Sequence, residues 1–214
     1  MSLATLVIKK VAVGDLQSNC IIVADTAVNQ CLLFDCGDQH AKIMMNMRQI
    51  DDEMTPKAIV LTHGHFDHIQ GVKGIKDAFP DVEVLINQED VELYNKIEQQ
   101  GKMFGMRTTP VPPHTGTIRH GDEISVGSVS FKAMHTPGHS PGSMCFYSEA
   151  NKVVITGDTM FAGGQGRTDL WGGSGPTLKA SLKELKKLPA DTRVIPGHGD
   201  DSTIGRESRT PIYI

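Results

Sequence analysis

Residues 62–68 read Thr-His-Gly-His-Phe-Asp-His, directly after the apolar run Ala58-Ile59-Val60-Leu61. His63, His65, Asp67 and His68 thus place three imidazoles and a carboxylate within six residues. These are donors that zinc, iron and manganese accept. Packing gives no reason to gather three of the chain's nine histidines there. The preceding run has the length of a buried strand, so the cluster belongs where a strand gives way to a loop, the usual place for sites in α/β folds. In an extended segment His63 and His65 point the same way and can share one ion. Asp67 and His68 follow a change of direction and can serve a second ion. A helix would separate His63 from His65, because i,i+2 residues do not face each other. The helical zinc pattern H-E-x-x-H is absent.

Three more donors follow short apolar runs. Phe131-Lys132-Ala133-Met134 leads to His135-Thr136-Pro137-Gly138-His139-Ser140-Pro141-Gly142. Lys152 to Ile155 leads to Thr156-Gly157-Asp158-Thr159, and Arg193-Val194-Ile195 to Pro196-Gly197-His198-Gly199. Each polar residue stands beside Gly or Pro, in a turn where backbone can approach closely. The repeated layout of strand, turn and donor is more specific than any single histidine. A carboxylate such as Asp158 can offer one oxygen to each of two cations.

The pattern along the chain predicts the architecture. Ala4–Val13, Cys20–Ala24 and Gln30–Asp35 read as a β-meander, and Ile43, Met44, Met47 and Ile50 mark a helix over 39–50. Further helices are expected over Val72–Phe79 and Gln88–Gln100, a strand over Val82–Ile86, and an irregular loop over 101–117. Strands follow at Ile118–Val126, Val129–His135, Ser143–Tyr147 and Lys152–Thr156. Leu178, Leu182, Leu185 and Leu188 form one face of an amphipathic helix, and Val194-Ile195 ends the series. Two similar halves of strands with helices outside imply an α/β fold with two sheets packed face to face between helical layers. At 214 residues and 23.2 kDa, one domain over 1–214 is expected.

Composition narrows the function classes. A formal charge of −4 argues against a nucleic-acid partner held by charge. No run of about 18 apolar residues suggests a membrane span. The N-terminal residues lack a secretory signal pattern, and the four cysteines have no C-x-x-C spacing. Cys20, Cys31 and Cys145 read as buried thiols, and the expected location is cytoplasmic.

THGHFDH, HTPGHSPG, GDTMF and IPGHG, in this order, resemble the metallo-β-lactamase-fold superfamily and, within it, the glyoxalase II branch of hydroxyacylglutathione hydrolases in its short bacterial form. The resemblance runs from Gln17-Ser18-Asn19-Cys20 to about Glu207. It implies a four-layer αββα sandwich with the site at the edge between the sheets. It also implies a ligand set of His63, His65 and His139 for one divalent ion and Asp67, His68 and His198 for the other, with Asp158 shared. Zinc is the expected metal, with iron or manganese as alternatives. Full-length glyoxalase II enzymes carry a C-terminal helical region that helps hold glutathione; this sequence ends 16 residues after His198. Gly164-Gln165-Gly166-Arg167-Thr168-Asp169-Leu170 is similar instead to a segment of short glyoxalase-like proteins and of persulfide dioxygenases, which use a single iron.

The expected activity is hydrolysis of a small-molecule thioester such as S-2-hydroxyacylglutathione by a metal-bridging hydroxide, with Asp67 orienting it and passing its proton. No Ser–His or Cys–His nucleophile signature competes. The rival readings are an iron-dependent persulfide dioxygenase, a hydrolase of a lactone, phosphodiester or β-lactam, and a non-enzymatic metal-binding protein. Three residues are expected to support the site or meet the substrate. Asp35 can bond a ligand histidine, His135 lies four residues before His139, and Arg167 can hold a substrate carboxylate or pair with Asp169. His40, His114 and His120 read as loop or surface histidines.

Overall fold

The computed structural model describes residues 6–209, so the expected strand start at Ala4 and Thr5 lies outside the described residues. The first sheet contains β1 (Leu6–Val13), β2 (Ser18–Asp25), β3 (Gln30–Phe34), β4 (Thr55–Val60), β5 (Glu83–Asn87) and β6 (Gly116–Ile118), in that spatial order. β1 to β3 form the antiparallel meander expected from the sequence, and β3 to β6 run parallel. The second sheet begins with β7 (Glu123–Val126), β8 (Val129–His135), β9 (Met144–Ser148) and β10 (Val153–Gly157). A small hairpin follows, β11 (Met160–Phe161) with β12 (Gly164–Gln165). β13 (Arg193–Pro196), parallel to β10, and β14 (Ser202–Thr203) complete the second sheet.

Burial on both strand faces explains why these runs are so apolar. All eight residues of β2 are buried. Ile21 and Val23 point between the sheets with Leu32, Phe34, Phe131, Phe146 and Ile155. Cys20, Ile22 and Ala24 point to the other side, where α1 (His40–Arg48) and the other helices of the first half pack. Phe34 sits 5.3 Å from Phe131 and 5.1 Å from Phe146 between ring centroids, joining the sheets. Its complete burial contributes roughly 1.5–3 kcal/mol. The helices of the first half are α1, α2 (Phe66–Ile69), α3 (Val72–Ala78), α4 (Val91–Asn95) and α5 (Ile97–Met103). Outside the second sheet, α6 (Gly175–Leu185) buries Leu178, Leu182 and Leu185 against Cys145, Val154 and Val194, with Ile204 of α7 (Ile204–Glu207) beside them. Helix, sheet, sheet and helix make the αββα sandwich. All four cysteines are buried free thiols.

Two expectations need correction. The run Ile118–Val126 is not one strand: β6 and β7 belong to different sheets. Between them Gly121 takes φ +91° and donates its N–H to Ala133 O at 2.8 Å, while the Asp122 carboxylate accepts from Arg119 N at 2.8 Å. The chain crosses the sandwich at that turn. The helix expected over Gln88–Gln100 is broken into a 3₁₀ turn at Gln88–Asp90, α4 and α5, the last running on to Met103. At the break, Leu93 O accepts from Lys96 N at 3.0 Å and from the Gln100 side-chain amide at 2.7 Å, in place of continuing an α-helical ladder. No described helix is long and apolar enough to cross a membrane.

Candidate metal centre

β4, β8, β10 and β13 end at the same edge of the sandwich, and the loop after each carries a sequence-predicted donor. His63 and His65 follow β4, His139 follows β8, Asp158 follows β10 and His198 follows β13. Asp67 and His68 lie on α2, whose single turn supplies the change of direction expected after His65. Met144 N donates to Thr62 O at 2.8 Å and Asn19 N to Gly197 O at 2.7 Å, tying the donor loops across the two sheets.

Six of the seven donors meet as two triads. One ligand atom each from His63, His65 and His139 lie within 4.8 Å of one another, and so do those of Asp67, His68 and His198. Asp158 stands between them. Its Oδ1 is 3.5 Å from His68 Nε2, and its Oδ2 is 3.5 Å from His139 Nε2 and 3.6 Å from His198 Nε2. Asp67 Oδ2 is 3.1 Å from His198 Nε2 and 3.4 Å from His68 Nε2.

Hydrogen bonds on the far side of the rings direct the lone pairs inward. With His68 Nδ1 donating to Asp35 Oδ2 at 2.8 Å, Nε2 is left facing the centre. His139 Nδ1 is held by Arg167 O at 2.8 Å and His198 Nδ1 by Leu16 O at 3.1 Å. His63 Nδ1 lies 3.0 Å from Thr62 Oγ1, which itself donates to Asp35 Oδ2 at 2.8 Å. His65 is turned the other way, presenting Nδ1 to His139 Nε2 at 2.8 Å. Such anchoring fixes tautomer and ring orientation for metal binding.

Electrostatics favour cations. Burial first, and then the neighbouring imidazoles, push His63 well below the ordinary histidine range. Burial and His139 bring His65 down to about 3. Both rings are therefore neutral near pH 7, with lone pairs available. Burial works against the Asp67 anion but is outweighed by His68 and by hydrogen bonds from His198 and His68, which hold its carboxyl well below the usual range. Burial likewise opposes His68⁺, yet Asp67, Asp158 and Asp35 raise its pKa. Three buried polar atoms lack partners here: His63 Nε2, His65 Nε2 and Asp158 Oδ1. Native interiors rarely leave such atoms bare. The neutral His63 and His65 rings, the ionised Asp67 and the bare His63 Nε2 and Asp158 Oδ1 fit divalent cations, and the His and Asp groups suit two of them.

A model described as the Metallo-beta-lactamase superfamily matches residues 13–198, from the end of β1 to the last donor. The chain belongs to that superfamily. Among its relatives is the hydroxyacylglutathione hydrolase GloC of Haemophilus influenzae, 32% identical, with 97% of each chain covered. The BLEG-1 B3 metallo-beta-lactamase has a TM-score of 0.88 at 30% identity, with 97% of this chain and 99% of that one covered. TTHA1623, solved in a di-iron-bound form, has a TM-score of 0.87 at 34% identity, with 96% of this chain and 100% of that one covered. Superfamily membership accounts for the fold, while these names span different substrates.

The three supporting candidates fall in different places in this superfamily member. Asp35 is fully buried and accepts from Thr62 N, Thr62 Oγ1 and the His68 ring. His135 is half-buried, with Nε2 2.9 Å from Pro141 O, so it braces the His139 loop from outside. The Arg167 side chain pairs with Asp169 through Nε–Oδ1 at 2.6 Å and Nη2–Oδ2 at 2.7 Å, while its carbonyl holds His139. His40, His114 and His120 stand apart from the donors. His40 packs on Gly74, His114 faces Tyr94 and His120 meets the backbone of His135.

Sequence reasoning missed Asp90. It is fully buried, and its carboxylate accepts from Gly64 N at 2.9 Å, Ser140 Oγ at 2.6 Å and Gly142 N at 2.6 Å. Asp90 thus fastens the His63–His65 loop to the His139 loop. A signal was present, since Asn87-Gln88-Glu89-Asp90 follows a short apolar strand just as the donors do. Ser18, whose hydroxyl donates to Asp67 Oδ2 at 3.1 Å, had no comparable signal.

Proposed function

We propose that the protein is a binuclear metal-dependent hydrolase of small-molecule thioesters, of the S-2-hydroxyacylglutathione type, with residues 1–214 acting as one domain. The observation that carries the reading is Asp158, set between the two triads with its carboxylate within 3.6 Å of His139 of one and of His68 and His198 of the other. His63, His65 and His139 would hold one ion and Asp67, His68 and His198 the other, with Asp158 bridging. Two such cations lower the pKa of water and polarise a carbonyl.

The chain's own groups supply position and proton handling. Asp35, Thr62, Leu16 O and Arg167 O keep the rings oriented, so the donors need no rearrangement during turnover. Asp67 stays ionised, and its Oδ2 faces the centre, where it can accept a proton from the attacking water and return it to the departing thiolate. Overall, water adds to the acyl carbon, the C–S bond breaks, and a carboxylic acid and a thiol leave. Leu16, Phe66, Phe104 and Leu170 wall a cavity of about 230 Å³ over the donors, large enough for the reacting part of a small thioester. The kinship with GloC supports the thioester assignment.

The test is metal analysis of natively expressed protein coupled to a thioester panel that includes S-lactoylglutathione. Two ions per chain and metal-dependent release of free thiol are expected. Turnover no better than that of metal-free protein would remove the proposal. One iron per chain with oxygen uptake on glutathione persulfide would select the dioxygenase reading instead, which the Gly166-Arg167-Thr168-Asp169 segment favours. Turnover of a lactone, phosphodiester or β-lactam in place of thioesters would reassign the bond.

A further inference from the structure

Glu207 is fully buried on α7, far along the chain from the metal donors of the first sheet. A carboxylate is seldom buried so completely unless its oxygens find partners, because it gives up its hydration. Each oxygen has one here. Oε1 accepts from the Ser202 hydroxyl, and Oε2 accepts from Gly163 N at 2.9 Å. Arg206 Nε stands 3.9 Å from Oε1, too far for a hydrogen bond. The buried carboxylate thus holds a hydroxyl and a backbone turn.

Both partners lead to the metal centre. Gly163 lies at the turn of the β11–β12 hairpin, with φ +72°. One end of that hairpin follows Asp158 directly, and the other runs through Gly166 to Arg167, whose carbonyl holds His139 Nδ1 at 2.8 Å. The exit is packed against the donors, since a Cβ on Gly166 would lie 1.9 Å from Asp158 O and 3.0 Å from His139 Nδ1. Within the hairpin, Phe161 meets the His198 ring edge-on, with centroids 6.2 Å apart. Ser202 opens β14, which pairs back onto β13, so the His198 loop is the connection between those two strands. The Glu207 carboxylate therefore ties the Asp158 hairpin to the segment that follows His198.

Resting on the binuclear reading above, we infer that Glu207 is a positioning residue for the metal centre, acting through the hairpin on Asp158, His139 and His198. Without the bond to Gly163 N, the hairpin tip gains freedom that its two ends pass to Asp158 and to the Arg167 carbonyl. Asp158 serves both ions in that reading, so both should weaken. Removing a group that orients a metal ligand costs about tenfold to a hundredfold in metal affinity. Glu207 works one step further out, so about tenfold is expected for each ion.

The experiment measures zinc affinity of the full chain by competition with a chromophoric chelator, the melting temperature of the metal-free protein, and turnover of S-lactoylglutathione. Glu207→Ala should weaken both zinc ions about tenfold. Glu207→Gln should recover most of that affinity, because its amide oxygen can accept from Gly163 N and its NH₂ can donate to the Ser202 hydroxyl. Ile204→Val trims the buried core contact of the same helix, so it should lower the melting temperature and leave zinc affinity as in the wild type. If Glu207→Ala fails to fold, Glu207→Asp, one methylene short of spanning both partners, carries the test and should also bind zinc more weakly. Wild-type zinc affinity in the Ala or Asp variant overturns the inference. So does an equal loss in Ile204→Val, which would make the effect one of stability alone, or a Gln variant as impaired as Ala, which would make it one of charge. No thioester turnover by the zinc-loaded wild type, with zinc affinities changing as expected, removes the thioester reading and keeps Glu207 as a positioning residue.

Discussion

Replacing Asp90 by Asn changes one oxygen for an NH₂ group and tests whether a buried carboxylate assembles the first triad. All three partners of Asp90 are arranged as donors: Gly64 N, Ser140 Oγ and Gly142 N. Asn offers one acceptor oxygen. In its best orientation that oxygen replaces Oδ2 and serves Gly64 and Ser140. The NH₂ then faces the Gly142 N–H, and one bond to a charged acceptor becomes a clash of donors. There is little room to relax, because a Cβ on Gly64 would already lie 2.8 Å from Asp90 O. Losing a bond to a charged group costs about 1.5–3 kcal/mol, and stranding the buried N–H costs about 1–3 kcal/mol. Burial penalises the Asp90 anion and raises its pKa against the pull of Ser140, Gly142 and Gly64, so removing the charge recovers part of that loss. The net expectation is a destabilisation of about 2–4 kcal/mol. For a chain of this size it should appear as a fall of roughly 5–15 °C in melting temperature. The second consequence is local. Asp90 holds the loops bearing His63, His65 and His139, whereas Asp67, His68 and His198 are anchored by Ser18, Asp35 and Leu16 O. Cobalt titration followed by visible absorption should show one weakened ion and one that binds as in the wild type. A variant with unchanged melting temperature and two unchanged binding steps would refute the reasoning; equal weakening of both ions would reduce Asp90 to a general stability role.

Further outcomes follow from other contacts. Gly197→Ala sets a methyl group against Asp158 Oδ1 and 2.8 Å from His68 Cε1, so metal analysis should find less than the wild-type occupancy with the circular dichroism spectrum unchanged. Chelator treatment should lower the melting temperature, since a ligand bound only to the folded state stabilises it; an unchanged melt would count against a metal centre. Asp25 accepts from Ser128 N at 2.8 Å, Ser128 Oγ at 3.0 Å and Ala27 N at 2.9 Å, and these bonds, the Ser128 backbone first, hold its pKa below the ordinary value. A depressed folded-state pKa gives stability that is present above the unfolded pKa of about 3.9 and is lost as pH falls through the folded value. The stability gap between wild type and Asp25→Asn should therefore be full at pH 6 and close in acid; a gap that widens below pH 4 would contradict the assignment.

How much of this was legible in the sequence depends on whether a role is local or depends on distant chain. THGHFDH is local: a strand end, a bend and four donors stand in seven consecutive residues, and the structure brings all four to one edge. His139, Asp158 and His198 were legible because each repeats the same grammar of apolar run, turn and donor. The periodicity also forecast the sandwich, since β2 and β3 need apolar cover on both faces. The readings that failed were about where a pattern stops. Ile118 to Val126 reads as one strand because a single Gly121 between β-rich stretches does not announce a change of sheet. Gln88 to Gln100 keeps helical spacing through the break, because the competitor for the Leu93 carbonyl is the side chain of Gln100. Asp90 stands after a short apolar run as the donors do, but what it fastens was hidden for the opposite reason. Its partners Gly64, Ser140 and Gly142 are backbone groups and a hydroxyl from two distant loops, and no residue type marks them in advance. The donors of such a site can be read from sequence because metal chemistry restricts their identity. The groups that fasten the donor loops together can come from any residue with the right reach, so they become visible only when the loops are seen side by side.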